Sequence, residues 1–305
     1  MLMPLLTSVF GLFLLLAGMY CLREGLKRFA GSSFQNLLHT LTLTPSKGFL
    51  SGIAVTTFLQ SSTALTVMTV SFVDAELMYF ENALALILGS NIGSTATPQL
   101  LTLPLDRIAI WLIFFGLSGF CFVKTRIRYL FLSLGGLGIM FFSLAILEMA
   151  MIPITDLPWV DNQLHQLHNN YLYAIAAGTA LSAAMHSSSA ATGIAMLLTE
   201  EGFLTLPAAL AFILGVNIGT CFTAIFVSFF ASRAAQKVAL FHLLVNIAGV
   251  ILCYPLLEPF AALIAILSDD LGRQVANGHT IFNILSSLLF LPFIPLMTKL
   301  LNKLR

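Results

Sequence analysis

The sequence predicts an all-α polytopic membrane protein made of two inverted-topology repeats whose helices are discontinuous or re-entrant. The first reason is composition: of 305 residues, 58% are hydrophobic and 9% are charged, whereas a soluble domain carries roughly a quarter charged residues. The second reason is an internal duplication, and the third is the placement of Lys and Arg between the apolar segments. We expect residues 1–305 to form a single transmembrane domain in a lipid bilayer.

Charge and cysteine content exclude several other classes of protein. The net charge is +1 and the sequence has no basic stripe, so no nucleic-acid partner is expected. The four cysteines stand singly in apolar segments without a Cys-x-x-Cys spacing, as is typical of small buried hydrophobic residues. We therefore expect no cofactor and no resident metal ion.

Basic residues set the predicted topology. Two basic clusters stand in connections between apolar segments: Arg23, Lys27, Arg28 and Lys47 around residues 24–46, and Lys124, Arg126 and Arg128. The connection 151–170 has no Lys or Arg. Because short cytoplasmic loops are rich in Lys and Arg, both clusters are predicted inside and 151–170 outside. Residues 5–22 then form a first transmembrane helix that ends inside, with Arg23 just after it.

Residues 60–97 and 186–223 are copies of one segment. They align without a gap at an offset of 126, and 14 of the 38 aligned positions are identical. The identities include Ser, Asn and Gly, so shared hydrophobicity does not explain them. Each copy contains a polar stretch that we call a quartet: Gln60–Thr63 is the first quartet and His186–Ser189 the second.

The predicted topology places the two copies in opposite orientations. The first is entered from inside near residue 48 and the second from outside near residue 171, so an odd number of crossings separates them. We expect inverted repeats at residues 48–150 and 171–298, the architecture in which many secondary transporters form their binding sites at the repeat interface.

Within each repeat the pattern predicts two interrupted helices. A helix of small residues containing Gly52 or Gly178 leads into the quartet, and a polar connection follows at 74–81 or 199–205. The next apolar stretch contains Gly-x-Asn-Ile-Gly, starting at Gly89 or Gly215. We expect these motifs to break the helix, since glycine weakens helices and such breaks survive only against protein or a wet cavity. The alternative is that the paired glycines form a helix-packing face.

Two further pairs place His and Asn one helical turn apart on the same face. These are His242 with Asn246, and His279 with Asn283. We interpret both pairs as groups that form hydrogen bonds between helices.

The chemistry of the repeated polar residues suits an anion beside a cation. Hydroxyl groups donate and accept hydrogen bonds, and a helix that restarts after a break presents unpaired N–H groups at its positive end. Freed carbonyls, with the oxygens of Gln60, Asn91 and Asn217, suit a small hard cation such as Na⁺. Neither copy has a carboxylate beside these motifs, which favours Na⁺ over a proton relay. His186 is the exception, because histidine can titrate.

The paired motifs resemble the Gln-Ser-Ser-Ser signatures of the type II sodium-dependent phosphate cotransporter family. Gln60-Ser61-Ser62 and His186-Ser187-Ser188-Ser189 carry the likeness, each followed by Gly-x-Asn-Ile-Gly. Two positions depart from the family pattern: Thr63 replaces a serine, and His186 replaces the second glutamine. The likeness covers about residues 45–285.

The resemblance implies a phosphate site formed by both quartets with a sodium site next to it. The implied substrate-binding residues are Ser61, Ser62, Thr63, Ser187, Ser188 and Ser189. We assign cation binding to Gln60, Asn91, Thr95, His186, Asn217 and Thr220.

The predicted function is sodium-coupled secondary transport of inorganic phosphate across a bacterial-type cell inner membrane. A transporter or exporter of another small oxyanion is the alternative. An intramembrane hydrolase is disfavoured, because no Gly-x-Ser-x-Gly is present and His186 directly precedes Ser187. A scaffold or receptor has little use for two broken helices per repeat. We predict no enzymatic activity, and partners limited to phosphate, sodium and the bilayer, with a homodimer left open.

Overall fold

The computed structural model describes residues 2–31, 44–155 and 157–303, and every regular element in these ranges is helical. Residues 32–43 of the predicted inside connection lie outside the described residues. The α-helices are α1 (Leu2–Ala30), α2 (Pro45–Leu59), α3 (Ser62–Asp74), α4 (Phe80–Gly93), α5 (Ala96–Leu101), α6 (Ala109–Phe122), α7 (Arg128–Thr155), α8 (Pro158–Asn169), α9 (Tyr171–Met185), α10 (Ser188–Glu200), α11 (Leu206–Gly219), α12 (Cys221–Ser228), α13 (Arg233–Cys253), α14 (Leu257–Ala265), α15 (Leu271–Phe290) and α16 (Ile294–Lys303).

Five helical stretches in the described ranges are long and apolar enough to cross a membrane. They are Met3–Ala30, Arg128–Ala150, Leu206–Ser228, Arg233–Ala265 and Leu271–Leu301. The segments Phe80–Leu101 and Asp106–Phe122, bent by 73° at the break between them, form a sixth if they are counted as one span. The chain is thus a multi-pass, all-α membrane protein, as its composition predicts.

The helix bounds repeat with the same offset as the sequence. Helices α2, α3 and α4 have the bounds of α9, α10 and α11 minus 126, at both ends of each helix. Helices α1 and α7 also begin 126 residues apart. The correspondence therefore starts before residue 48, the predicted beginning of the first repeat. Inversion of the repeats relative to the membrane stays a prediction.

Glycines allow the first and third helices of each repeat to pack backbone to backbone. A Cβ atom on Gly52 would lie 2.2 Å from the carbonyl oxygen of Leu86, and one on Gly178 would lie 2.1 Å from that of Phe212. These distances are far below van der Waals contact, so any side chain would push α2 away from α4, or α9 away from α11.

The motif glycines pack helices instead of breaking them. Helix α4 continues through Asn91 to Gly93, and the turn follows at residues 94–95. A Cβ on Gly89 would lie 2.0 Å from the carbonyl oxygen of Phe49. The predicted break was therefore placed a few residues too early. Glycine weakens a helix by only about 1 kcal/mol, and close packing against α2 outweighs that loss.

Two hydrophobic cores form around the two quartets. The first contains α2, α3 and α4 with buried residues of α13 and α16, such as Phe241 and Ile294. The second contains α9, α10 and α11 with buried residues of α1 and α7, such as Met19 and Met140. Helix α1, which precedes the first quartet in sequence, thus packs into the core of the second quartet.

Candidate functional site

Each quartet begins at a sharp joint between two helices. Gln60 ends α2 with φ 54° and ψ 29°, and His186 ends α9 with φ 49° and ψ 30°. In the described ranges, the non-glycine residues with positive φ are these two and Glu76. Such a backbone is unfavourable for a residue with a side chain, and it persists where the surrounding structure holds it, often at functional sites.

The serine after each joint caps the next helix. Ser61 Oγ accepts a hydrogen bond from the Ala64 amide at 3.2 Å, and Ser187 Oγ accepts one from the Ala190 amide at 3.3 Å. The N–H groups of the first helical turn have no partner inside the helix, and the dipole makes that end positive. Each quartet therefore presents a helix N-terminus suited to an anion.

Both quartets line one small cavity. All eight quartet residues contribute to its wall, together with Arg23 and Ser94. About 10 Å³ is open to the centre of a water molecule, which is room for about one water. A tetrahedral oxyanion is larger than that space.

Arg23 is the site residue that the sequence analysis missed. Its Nη2 atom donates a hydrogen bond to Ser187 Oγ at 3.5 Å, and the side chain is half-buried in α1. The ion pairs among the described residues are Arg28 with Glu24 and His165 with Asp161, so no described carboxylate pairs with Arg23. A guanidinium within a membrane helix needs a partner, and its planar fork suits an oxyanion.

A signal for this placement was present in the sequence. Glu24 and Arg28 are four residues apart, the spacing of a helical ion pair, and their side chains meet at 2.6 Å. That pair indicates that α1 continues past the apolar segment, which carries Arg23 inside the helix and not into a loop.

A larger cavity adjoins the quartet cavity. Its volume is about 440 Å³, and it shares Arg23 and Ser61 with the smaller one. Its other walls come from α1, including Lys27 and Glu24, and from the end of α2 and the start of α3. The first quartet therefore borders this space, whereas the serines of the second quartet are buried.

The first residues of the two quartets make matching contacts. Gln60 Oε1 accepts a hydrogen bond from Thr97 Oγ1 at 2.5 Å, and His186 Nδ1 lies 3.0 Å from Thr223 Oγ1. Thr97 and Thr223 are themselves 126 residues apart. The environments differ, because Gln60 is only 7% exposed while His186 is exposed.

Four predicted cation-binding residues lie outside the cavity wall. Asn91 Oδ1 is 2.9 Å from His242 Nε2, and Asn217 Oδ1 is 3.3 Å from His279 Nε2. The hydroxyls of the other two residues, Thr95 and Thr220, donate to the carbonyls of Ile92 and Asn217 at 2.8 and 2.7 Å. The structure therefore brings Gln60 and His186 to the quartet cavity and leaves these four in the surrounding helix ends.

The two histidines confirm part of one prediction, that both His–Asn pairs form hydrogen bonds between helices; Asn283 bonds within its own helix. His242 on α13 and His279 on α15 form hydrogen bonds between helices, as the His-x-x-x-Asn spacing indicated. Both are buried, and each receives a bond at its backbone carbonyl from the Asn one turn later, at 2.9 Å.

Comparison with known proteins identifies relatives along the whole chain. The protein YqeW of Bacillus subtilis (strain 168) is 36% identical over 291 residues, which cover 94% of each chain. A Salmonella typhimurium protein named "Putative inorganic phosphate export protein YjbB" is 30% identical over 94% of this chain and 53% of its own length. The chain thus spans about half of that relative. No solved structure matches the sequence.

A shorter match reaches animal transporters. "Sodium-dependent phosphate transport protein 2B" of Homo sapiens is 32% identical over 127 residues, which are 40% of this chain and 18% of that protein. The Na⁺/Pi-cotransporter family pattern matches residues 14–149 and 158–267, and so covers α1 from residue 14 onward, both quartets and both Gly-x-Asn-Ile-Gly motifs. The chain is therefore a bacterial-type member of the Na⁺/Pi-cotransporter family.

Proposed function

We propose that this protein carries inorganic phosphate across the membrane, coupled to Na⁺. The observation that supports it best is the meeting of two helix N-termini, one from each quartet, with Arg23 at one cavity. All three features attract an anion, and no described acidic side chain lines that cavity.

In this proposal the phosphate lies between the two quartets. The hydroxyls of Ser62, Thr63, Ser188 and Ser189 and the first N–H groups of α3 and α10 donate to its oxygens. Arg23 supplies the one full positive charge from the protein, and charge-assisted hydrogen bonds are roughly twice as strong as neutral ones. Movement of the quartets relative to each other both admits the ion and exposes it to one side of the membrane.

Sodium binds at the edge of the same site. Gln60 lines the wall of the quartet cavity, and its Oε1 atom lies close to Thr97 Oγ1. Oxygen is the ligand atom that hard cations prefer. A cation there offsets the negative charge of phosphate, so each ion favours binding of the other. Cation binding by Asn91, Thr95, Asn217 and Thr220 stays a prediction.

The repeat architecture supplies the movement. We propose that the two repeats are inverted in the membrane, so that exchanging their conformations moves the site from one side to the other. The matching helix bounds support this proposal. The separate hydrophobic cores of the two quartets give two bodies that can shift against each other.

Uptake into proteoliposomes tests the proposed function. Purified protein is reconstituted, and entry of labelled phosphate is followed with an inward Na⁺ gradient or with choline in place of Na⁺. We expect uptake that needs Na⁺ and that Arg23→Met reduces strongly at low phosphate concentration. An equal rate in choline would refute sodium coupling, and no phosphate flux under any ion gradient would refute phosphate transport.

Phosphate export is a second candidate, supported by the name of the YjbB relatives. A secondary transporter runs in the direction set by the ion gradients, so the same site serves uptake or export. Liposomes loaded with labelled phosphate separate the two directions. Competition by arsenate and sulfate tests the alternative that another oxyanion is the substrate; stronger inhibition by sulfate than by unlabelled phosphate would favour it.

A further inference from the structure

The larger cavity beside the quartets has the room that the quartet cavity lacks. We call it the vestibule; it measures about 440 Å³ and shares Arg23 and Ser61 with the quartet cavity. The quartet cavity, with about 10 Å³, admits about one water molecule. In this structure an oxyanion therefore fits beside the first quartet and not between the two quartets.

Helix α1 presents two cationic side chains to the vestibule, one helical turn apart. Arg23 and Lys27 both line it, and residues at this spacing have Cβ atoms about 5–6 Å apart on the same helix face. The rest of the wall includes Leu59 at the end of α2 and Ala64 and Met68 on α3. Both cationic side chains are long, so the guanidinium and the ammonium group are able to contact one phosphate group in the space between them.

The charges in the vestibule wall do not cancel. Arg28 pairs with Glu24 at 2.6 Å, and its guanidinium lies 5.7 Å from the ring centre of Tyr129 on α7. Among the described residues, no acidic side chain pairs with Arg23 or Lys27. Two positive charges therefore remain in the wall, and a cleft lined by one sign of charge concentrates ions of the opposite sign.

We propose that the vestibule is a transient binding position for a phosphate group, in which Lys27 and Arg23 hold the oxyanion before it passes to the quartets. This inference rests on the proposed function. Because Arg23 lies in the wall of both cavities, a phosphate that moves inward keeps its contact with Arg23 and loses only the one with Lys27. A single Arg23 serves one phosphate at a time, so the vestibule and the quartets together hold one phosphate per chain.

A phosphate group has two sources at a membrane protein, the free ion in water and the head group of an anionic lipid. The walls shared with the quartet cavity, Arg23 and Ser61, favour the free ion. A head group is tied to its acyl chains and cannot continue into a cavity of about 10 Å³. We therefore assign the vestibule to free phosphate, and the test below separates the two sources.

Phosphate exchange in proteoliposomes of phosphatidylcholine tests the proposal. Lys27→Gln removes the charge and Lys27→Arg keeps it, while Lys47→Gln removes a charge in the first turn of α2, away from the vestibule wall. Entry of labelled phosphate is measured as a function of its concentration. We expect K27Q to raise KM by about three- to tenfold and to keep the maximal rate within about twofold of wild type, because the lost charge lowers the local phosphate concentration. K27R and K47Q should both have the KM of wild type.

The split between KM and maximal rate separates this role from a structural one. Lys27 is exposed, so K27Q should keep the thermal midpoint of wild type. A K27Q protein with the KM of wild type would overturn the proposal. So would a loss confined to the maximal rate and the thermal midpoint, or a K27R protein whose KM is as high as that of K27Q.

The lipid composition separates free phosphate from a lipid head group. The same measurements are repeated in vesicles that also contain phosphatidylglycerol, whose head group is anionic. We expect the effect of K27Q on KM to be present already in phosphatidylcholine alone. An effect that appears only with phosphatidylglycerol would assign the vestibule to a lipid head group and overturn the proposal. Absence of phosphate exchange by wild type in both kinds of vesicle would instead refute the proposed function.

Discussion

The two quartets have the same backbone and different surroundings. Joints, caps and threonine contacts repeat at an offset of 126 residues. The serines of the second quartet are buried, at 3–7% exposure, while those of the first are half-buried and Ser61 also lines the larger cavity. For the first residue of each quartet the difference in exposure is opposite, since Gln60 is buried and His186 is exposed.

Helix α1 accounts for much of this difference. It packs into the core of the second quartet, where Arg23 and Met19 both contact Ser187. The residue 126 positions after Arg23 is Met149 on α7, which is 78% exposed. Local sequence therefore sets the conformation of each quartet, and a helix from elsewhere in the chain sets its access and its charge.

The largest expected effect is a loss of stability that is the same for the helix pair of each quartet. Replacing Gly52 or Gly178 with alanine places a Cβ within 2.2 Å of a carbonyl oxygen on the facing helix. Either change should destabilise the protein by about 3 kcal/mol, seen as a lower thermal midpoint and a loss of monodisperse protein. Gly135→Ala is the control, because its Cβ would meet nothing closer than 3.5 Å. If only one of the two glycine variants were destabilised, the two helix pairs would not be equivalent.

Arg23 is expected to contribute to phosphate binding, whereas Met149, 126 residues later, is not. Arg23→Met, which installs the side chain found at position 149, should weaken phosphate binding about ten- to a hundredfold, since a hydrogen bond to a charged group contributes about 1.5–3 kcal/mol. Calorimetric titration with phosphate measures this loss. Met149→Ala is the matched control and should bind phosphate as wild type does. Unchanged phosphate affinity in R23M would show that Arg23 does not contact phosphate.

The threonine contacts should differ in strength. Thr97→Val leaves the buried Gln60 Oε1 without its hydroxyl donor, which should lower stability by about 2 kcal/mol. Thr223→Val affects an exposed histidine that water can satisfy, so the loss should stay below about 0.5 kcal/mol. Thermal unfolding in one detergent compares the two variants. Equal losses of stability in the two variants would show that the burial of Gln60 does not make its threonine contact stronger than that of His186.

The smallest expected effect concerns the helix caps. Ser61→Ala and Ser187→Ala each remove one capping hydrogen bond, and each should lower stability by about 1 kcal/mol. Phosphate affinity should fall more in S187A, because Ser187 also positions Arg23. Affinities that fall equally, measured beside the thermal midpoints, would argue against a positioning role for Ser187.

The sequence predicted what depends on local patterns. The interruption of the helix at each quartet and the meeting of both quartets at one cavity follow from a duplicated polar motif in apolar helices. The wall positions of Gln60 and His186 follow from the same motif. Inversion of the repeats and the ligand roles of the individual residues remain predictions.

Contacts between distant helices were not predictable in this way. The apolar segment predicts a helix that ends at residue 22, just before Arg23, because the length of α1 depends on its packing and not on its apolar segment alone. The Gly-x-Asn-Ile-Gly motifs were expected to break helices, yet glycine allows either a break or a close approach, and only the facing carbonyls of α2 and α9 decide between them. The same holds for Asn91 and Asn217, whose histidine partners are more than 60 residues away along the chain.

In the proposed mechanism, both quartets form one phosphate site. Calorimetric titration of phosphate into wild type, into the double variant Ser62→Ala with Thr63→Val, and into Ser188→Ala with Ser189→Ala tests it most directly. We expect one phosphate per chain, with the affinity for that single phosphate lowered in both double variants. Two phosphates per chain, or a double variant in either half that binds phosphate as wild type does, would contradict it.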